Sequence, residues 1–173
     1  LSGETGTKLK CEILGEYYPL WWSITSGGPR RNYNLHTDMI ELNAGTGEDY
    51  IEEKQETILG SAGHALQLKL ENSDSSKLKV ILVEENDECY EHLKDVIRRR
   101  WSSLNIKEAE GLVESNKTGV YLIHKNLNDA LEIIEKISLR NSLFFFDPLL
   151  YTPWSEIERV AKRRIKSYYQ TRT

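Results

Sequence analysis

The sequence has few cysteines and no long apolar run. Cys11 and Cys89 lie far apart in the chain, and neither has a second cysteine at CxxC spacing, so we expect two buried thiols rather than a disulfide or a metal site. No apolar stretch approaches the ~20 residues that cross a bilayer. The segment from Leu1 to Thr7 lacks the apolar core of a secretory signal. These absences predict a cytoplasmic protein that does not enter a membrane.

An excess of positive charge is also missing. The 23 Lys and Arg residues face 27 Asp and Glu residues, for a formal net charge of −4, which argues against coating of nucleic acid by the whole domain. Two local basic segments remain, and each could contact nucleic acid or another anionic partner, with a solvated surface as the alternative. They are Arg30 and Arg31 in a turn-rich connector, and Lys162, Arg163, Arg164 and Lys166 in the last predicted helix.

The chain contains alternating strand and helix patterns, and its length suits a single globular domain. With 173 residues, 39% of them hydrophobic and 29% charged, we expect a single domain over residues 1–173. A helix over 8–26, bent or divided at Pro19, is expected to pack on the sheet. Four buried apolar strands separated by helical patterns predict an α/β fold with a Rossmann-like, doubly wound, mostly parallel sheet.

The first strand leads into two glycines, Gly45 and Gly47, where the backbone can turn sharply and approach a ligand. A dinucleotide fingerprint requires a third glycine that opens a helix, but Tyr50 stands at that position. The acidic Glu48 and Asp49 would repel a phosphate. This turn therefore favours a cationic or zwitterionic nucleoside, for which S-adenosylmethionine is the common example, and a simple turn is the alternative.

Polar residues stand at the ends of the other predicted strands. Glu84 ends the second strand and is expected to accept hydrogen bonds from both ribose hydroxyls, whereas a slip of one residue would put Glu85 there. Asn126 follows the third strand as a candidate for adenine recognition, and Asp147 follows the fourth. Because ligands of open α/β sheets bind at the carboxyl edge of the strands, these residues predict one shared site.

The pattern Glu41-x-x-Ala44-Gly45-x-Gly47 resembles the first motif of class I methyltransferases. The strand acid, the strand asparagine and the Asp-Pro segment follow in the order of that fold. Together with the Tyr-Tyr-Pro-Leu-Trp segment at 17–21, the helix start at Gly60-Ser61 and the Phe-Phe-Asp-Pro segment at 145–148, the chain from about 8 to 165 resembles a three-Cys-motif partner protein.

This resemblance implies a prokaryotic methyltransferase-like protein that binds S-adenosylmethionine and has a neighbouring three-cysteine protein as a possible partner. It implies further strands and a winged-helix module, so we expect a chain truncated after the fourth β-α unit. The implied cofactor residues are Glu41, Ala44, Gly45, Gly47, Glu84 and Asn126, the last at a position that is usually acidic. The implied acceptor edge consists of Asp147, Pro148 and Tyr151.

Two hypotheses about function remain open. The first is methyl transfer to an acceptor whose amine donates a hydrogen bond to Asp147. The second is a cofactor-binding or partner module without turnover, which is indicated by Asn126 in place of a carboxylate and by Leu149-Leu150-Tyr151 in place of the Pro-Tyr of amino-methylating enzymes. A third hypothesis, a nicotinamide oxidoreductase, is disfavoured by the missing third glycine.

Overall fold

The computed structural model of the chain describes residues 3–26, 37–71, 77–109, 118–137, 139, 141–147 and 154–170, without the side chains of 3–5, 53 and 163–170. The elements follow one another as α1 (Gly3–Ser26), β1 (Thr37–Leu42), β2 (Glu48–Ile51), a 3-10 turn (Glu52–Lys54), β3 (Glu56–Leu59), α2 (Ser61–Glu71), β4 (Leu78–Glu84), α3 (Asp87–Arg100), β5 (Ile106–Glu108), β6 (Gly119–His124), α4 (Leu127–Glu135), β7 (Asn141–Phe146) and α5 (Trp154–Gln170).

The main sheet has five strands in the order β5-β6-β4-β1-β7, and its four pairings are all parallel. The chain moves outward from β1 to β4 and β6, and then returns to place β7 on the other side of β1. The carboxyl ends of these strands therefore lie at one edge, next to the position where the strand order reverses. The predicted mixed α/β fold with a parallel, Rossmann-like sheet is confirmed.

Helices cover both faces of the sheet, so its central strands are buried along their whole length and are mostly apolar. One face carries Met39, Val80 and Leu82 and packs against α1, α2 and α3. The other face carries Ile40 and Ile81 and packs mainly against α4, with α5 at its margin. All residues of β1 and β4 are buried.

Helix α1 is apolar on two opposite sides, and only one side is buried. Leu14, Tyr18 and Trp22 face the core, and the Tyr18 ring meets Phe145 edge-on with ring centroids 6.3 Å apart. The predicted packing of this helix on the sheet therefore holds for one side only, because a single helix can turn only one stripe to the sheet. That outer side has exposed Leu9, Ile13, Tyr17, Leu20 and Ile24. No helix in the described part of the chain is long and apolar enough to cross a bilayer.

Candidate ligand site at the carboxyl edge of the sheet

The turn after β1 uses left-handed backbone conformations at three positions, Asn43 with φ 72°, Gly45 with φ 62° and Gly47 with φ 79°. Such conformations are strained for most side chains and free of that strain for glycine. The two glycines differ in their surroundings. A Cβ on Gly45 would meet nothing within 4 Å, whereas a Cβ on Gly47 would lie 2.7 Å from Leu93. Gly45 therefore presents bare backbone to open space, and Gly47 is required by packing.

Glu84 joins the second strand to this turn. Its carboxylate accepts hydrogen bonds from the backbone N–H of Gly45 at 2.7 Å and from that of Asn86 at 2.9 Å. The side chain is 8% exposed, whereas the rival residue Glu85 is exposed. Each carboxylate oxygen has a second lone pair, so Glu84 lies at the turn with capacity for further donors.

Glu41 is fully buried near the end of β1. The Tyr18 hydroxyl donates a hydrogen bond to its Oε1, and Oε2 has no hydrogen-bond partner among the described residues. Burial raises the pKa of Glu41 to about 7, although the side chains of Tyr18 and Ser61 oppose the shift as hydrogen-bond partners. A carboxyl group of this kind changes its charge near neutral pH.

Asp147 lies directly after β7, beside the start of the turn. Its backbone N–H donates to the carbonyl oxygen of Leu42 at 3.4 Å, and its carboxylate forms an ion pair with Lys10 of α1. No pattern in the sequence points to this lysine, since it lies 137 positions away. The other two predicted acceptor-edge residues, Pro148 and Tyr151, lie outside the described residues.

Asn126 caps helix α4. Its side-chain oxygen accepts from the backbone N–H of Asp129 at 3.0 Å, and its amide donates to the Asp129 carboxylate at 3.0 Å. These contacts give the residue a local role as an N-cap, and recognition of adenine stays a prediction. Ala44, also predicted at the cofactor, is buried, and its N–H donates to Val83 at 2.8 Å.

A stacked pair of rings, which no sequence pattern predicts, lies at the same carboxyl edge of the sheet. His124 is the register partner of Glu84 across β6 and β4. Its ring stacks on Tyr90, with ring centroids 4.3 Å apart and planes at 10°, and its Nε2 lies 3.1 Å from Asp87. The helical spacing of Tyr90, Leu93 and Ile97 predicts that Tyr90 lies in the core, where it does lie, but such spacing does not show that the ring also contacts the end of a strand.

Glu48 faces α3 and is neutralised there. Its carboxylate pairs with Arg99 at 2.9 Å and with Arg100 at 3.0 Å. The expectation that Glu48 repels a phosphate at the turn is therefore wrong, because two arginines compensate its negative charge. Asp49 instead faces α1, where the Cys11 thiol lies 3.8 Å from its carboxylate.

The segment after the glycine turn, whose acidic sequence predicts only a connector, forms a β-hairpin. Strands β2 and β3 pair antiparallel, and Gln55 adopts a left-handed conformation between them. Helix α2 then begins at Ser61, as predicted. Because no helix opens at the glycine turn, the backbone there does not offer the helix N-terminus that a dinucleotide pyrophosphate requires.

Helix α2 nevertheless touches the turn, through Gly63. A Cβ on Gly63 would lie 2.2 Å from the Gly47 carbonyl oxygen and 3.2 Å from Leu59, so Gly63→Ala must push the helix away from backbone that cannot rotate aside. We expect a loss of about 2 kcal/mol in the free energy of unfolding, as for other overpacked sites, measured by urea denaturation. Gly6→Ala is the matched control, since nothing lies within 4 Å of that position. Equal stabilities of the two variants would contradict the close contact.

The predicted basic surfaces are described only in part. Lys162 is exposed and pairs with Glu158 at 2.8 Å. Arg30 and Arg31, and the side chains of Arg163, Arg164 and Lys166, lie outside the described residues, so a contact with nucleic acid stays a prediction. Cys11 and Cys89 are both free thiols, and the expectation that both are buried is right for Cys11 and wrong for Cys89, which is partly exposed. Within the described ranges, no group of three or more His, Cys, Asp and Glu side chains could hold a metal ion.

At this edge, a glycine turn, the Glu84 carboxylate and a second acidic group around Glu41 and Asp147 occupy three neighbouring strands, β4, β1 and β7. This arrangement can receive a ligand that offers hydroxyl donors at one end and positive charge at the other. A scan against protein-family models, a search of curated proteins and a search of solved structures each returned no match.

Proposed function

We propose that the protein binds S-adenosylmethionine and transfers its methyl group, with a fold of the class I methyltransferase type. The observation that carries this proposal is the hydrogen bond of 2.7 Å between Glu84 and the Gly45 N–H. It brings the acid of the second strand onto the turn of the first strand, which is the geometry that a nucleoside lying across the two strands needs.

In this proposal the ribose hydroxyls donate to the Glu84 carboxylate, and the amino-acid part of the cofactor lies over Gly45, where no Cβ obstructs it. The dinucleotide alternative is disfavoured because strand β2, and not a helix, follows the turn. The resemblance of the chain to three-Cys-motif partner proteins supports the same cofactor, and it adds a three-cysteine protein as a proposed partner.

Methyl transfer requires the protein mainly to position the two reactants and to accept one proton. The acceptor nucleophile attacks the methyl carbon, the carbon–sulfur bond breaks, and the electron pair returns to sulfur as a neutral thioether. Holding acceptor and sulfonium in line is worth up to ~7–11 kcal/mol in favourable cases. An acceptor amine must also lose a proton, and Asp147 at the end of β7 is the proposed hydrogen-bond acceptor for it.

Isothermal titration with S-adenosylmethionine tests the proposed site. We expect Glu84→Gln to weaken binding by roughly tenfold or more, because an amide replaces a charged acceptor of two hydroxyl donors. Glu85→Gln is the matched control, since it makes the same change at the next residue, which is exposed, and should leave the affinity within about twofold. Equal affinities of the two variants would overturn the assignment of Glu84, and circular dichroism verifies that both are folded.

A cofactor-binding module without turnover is the second candidate, and the ion pair between Asp147 and Lys10 favours it. The proposed acceptor-binding carboxylate is already engaged there by the protein's own cation. Incubation with methyl-labelled cofactor and cell extracts separates the two functions. Label that is transferred by the wild type and not by Asp147→Asn supports the enzyme, and tight binding without transfer supports the module.

A further inference from the structure

Lys10 places a positive charge at the acidic end of the candidate site. It extends from α1 to the carboxylate of Asp147, and the two side chains are 37% and 34% exposed. Burial alone would lower the pKa of Lys10, but the hydrogen bond to Asp147 and the charge of that carboxylate raise it above its usual value. The lysine is therefore a cation held where solvent, or a ligand, still has access.

The surroundings of Lys10 carry more negative charge than this one lysine compensates. Besides Asp147, the Asp49 carboxylate acts on the Lys10 ammonium electrostatically. Glu41 is also within its field, because the charge of Lys10 lowers the pKa of Glu41 and the charge of Asp147 raises it. The Oε2 atom of Glu41 is buried and makes no hydrogen bond of good geometry among the described residues, although the Ser61 side chain acts on the same carboxyl group and lowers its pKa. Such an oxygen is costly unless a donor reaches it.

The order of the strands defines which part of a ligand would arrive here. Glu84 belongs to β4, the glycine turn to β1 and Asp147 to β7, and these strands are neighbours in that order. A nucleoside that has its sugar on Glu84 and crosses the turn at Gly45 therefore extends toward Asp147. In S-adenosylmethionine that end carries the α-ammonium group, which has the same charge and the same donors as a lysine ammonium.

We propose that Lys10 is an internal competitor that occupies the position of the ligand's ammonium group, so that Lys10 must leave Asp147 when a ligand with that group binds. This inference rests on the proposed function. The ligand-competent form is the one in which the ion pair is open, and the apparent affinity is reduced by the fraction of molecules in which it is closed. The acidic cluster, freed of Lys10, also attracts an ammonium group more strongly.

The experiment compares two nucleosides that differ in this group. S-Adenosylhomocysteine carries the α-ammonium, and 5′-methylthioadenosine lacks the amino-acid part. We expect Lys10→Met to bind S-adenosylhomocysteine roughly three- to tenfold more tightly than the wild type, as suits a partly exposed ion pair, and to bind 5′-methylthioadenosine with unchanged affinity. Lys8→Met is the matched control, because Lys8 lies on the same helix and pairs with Glu56 at 2.6 Å, and it should change neither affinity.

Each other outcome is decisive. Unchanged binding of S-adenosylhomocysteine by Lys10→Met, or equal tightening for both nucleosides, overturns the competitor role and leaves the proposed function intact. Weaker binding of S-adenosylhomocysteine by Lys10→Met overturns the competitor role too, because it would show that Lys10 pairs with the α-carboxylate of the ligand. Failure of both nucleosides to bind all three proteins overturns the proposed function and this inference with it. A second measurement uses the wild type alone. The NMR signal of the Lys10 ammonium should shift on addition of S-adenosylhomocysteine and not on addition of 5′-methylthioadenosine. A signal that shifts with neither nucleoside at saturation contradicts the proposal.

Discussion

Replacing Lys79 by methionine is expected to reduce the free energy of unfolding by about 3–5 kcal/mol. Lys79 and Asp38 face each other across β4 and β1, with the ammonium 4.0 Å from the carboxylate and only 1% and 2% of the two side chains exposed. Burial lowers the pKa of Lys79, and the Asp38 charge opposes that shift. The large cost arises because Lys79→Met removes the cation that faces a buried carboxylate.

Two comparisons isolate this effect in urea denaturation. The double variant Asp38→Leu/Lys79→Met removes both charges and should regain most of the loss, because apolar replacement of a buried pair is often neutral or stabilising. Lys162→Met makes the same substitution in a shorter but exposed pair, 2.8 Å from Glu158, and should change stability by less than about 1 kcal/mol. If Lys79→Met reduced the free energy of unfolding no more than Lys162→Met does, the buried pair would not contribute to stability as the structure indicates.

Replacing Glu41 by glutamine is expected to remove a pH dependence of stability worth about 3 kcal/mol. Burial raises the pKa of Glu41 from 4.5 to about 7, so the folded protein binds more protons than the unfolded chain between these values. The free energy of unfolding therefore falls as pH rises through this interval, by about 1.4 kcal/mol per pKa unit. Glu41→Gln lacks the ionisable group, so its free energy of unfolding should rise relative to that of the wild type as pH increases over this interval.

The measurement is urea denaturation of both proteins at several pH values from 4 to 8, in which the difference between them cancels the other titrating groups. Tyr18→Phe is the complementary variant, because it keeps Glu41 and removes the hydroxyl that donates to it. That hydrogen bond lowers the pKa of Glu41, so its loss should extend the pH dependence of stability to higher pH. A constant difference between wild type and Glu41→Gln across the range would show that Glu41 does not titrate in this interval.

The main strands could be predicted because they are buried and therefore appear as short segments of mostly apolar residues. Their order along the chain also predicted that Glu84 and the glycine turn would share an edge, and the contact of Glu84 with Gly45 bears out that placement. The hairpin over 48–59 was missed for a physical reason. Its turn uses Gln55 with φ 49° in place of the Asn-Gly or Asp-Gly pairs that mark such turns.

Sequence patterns could not predict which side chains pair with one another across the site. Helical spacing assigns a residue to a face, but it does not reveal that Lys10 meets Asp147 or that Tyr18 meets Glu41, because these pairs depend on how α1 lies against the sheet. Asp38 and Lys79 did offer a signal that was not used. A charge within a strand buried on both faces requires a partner, and Asp38 of β1 and Lys79 of β4 are such charges, of opposite sign, on neighbouring strands.

The structure of the protein with S-adenosylhomocysteine tests the central claim most directly. The account predicts both ribose hydroxyls within hydrogen-bond distance of the Glu84 carboxylate and the amino-acid part of the ligand over Gly45. A ligand bound elsewhere, or a Glu84 carboxylate that contacts only Gly45 and Asn86 while the sugar lies away from it, would contradict the account.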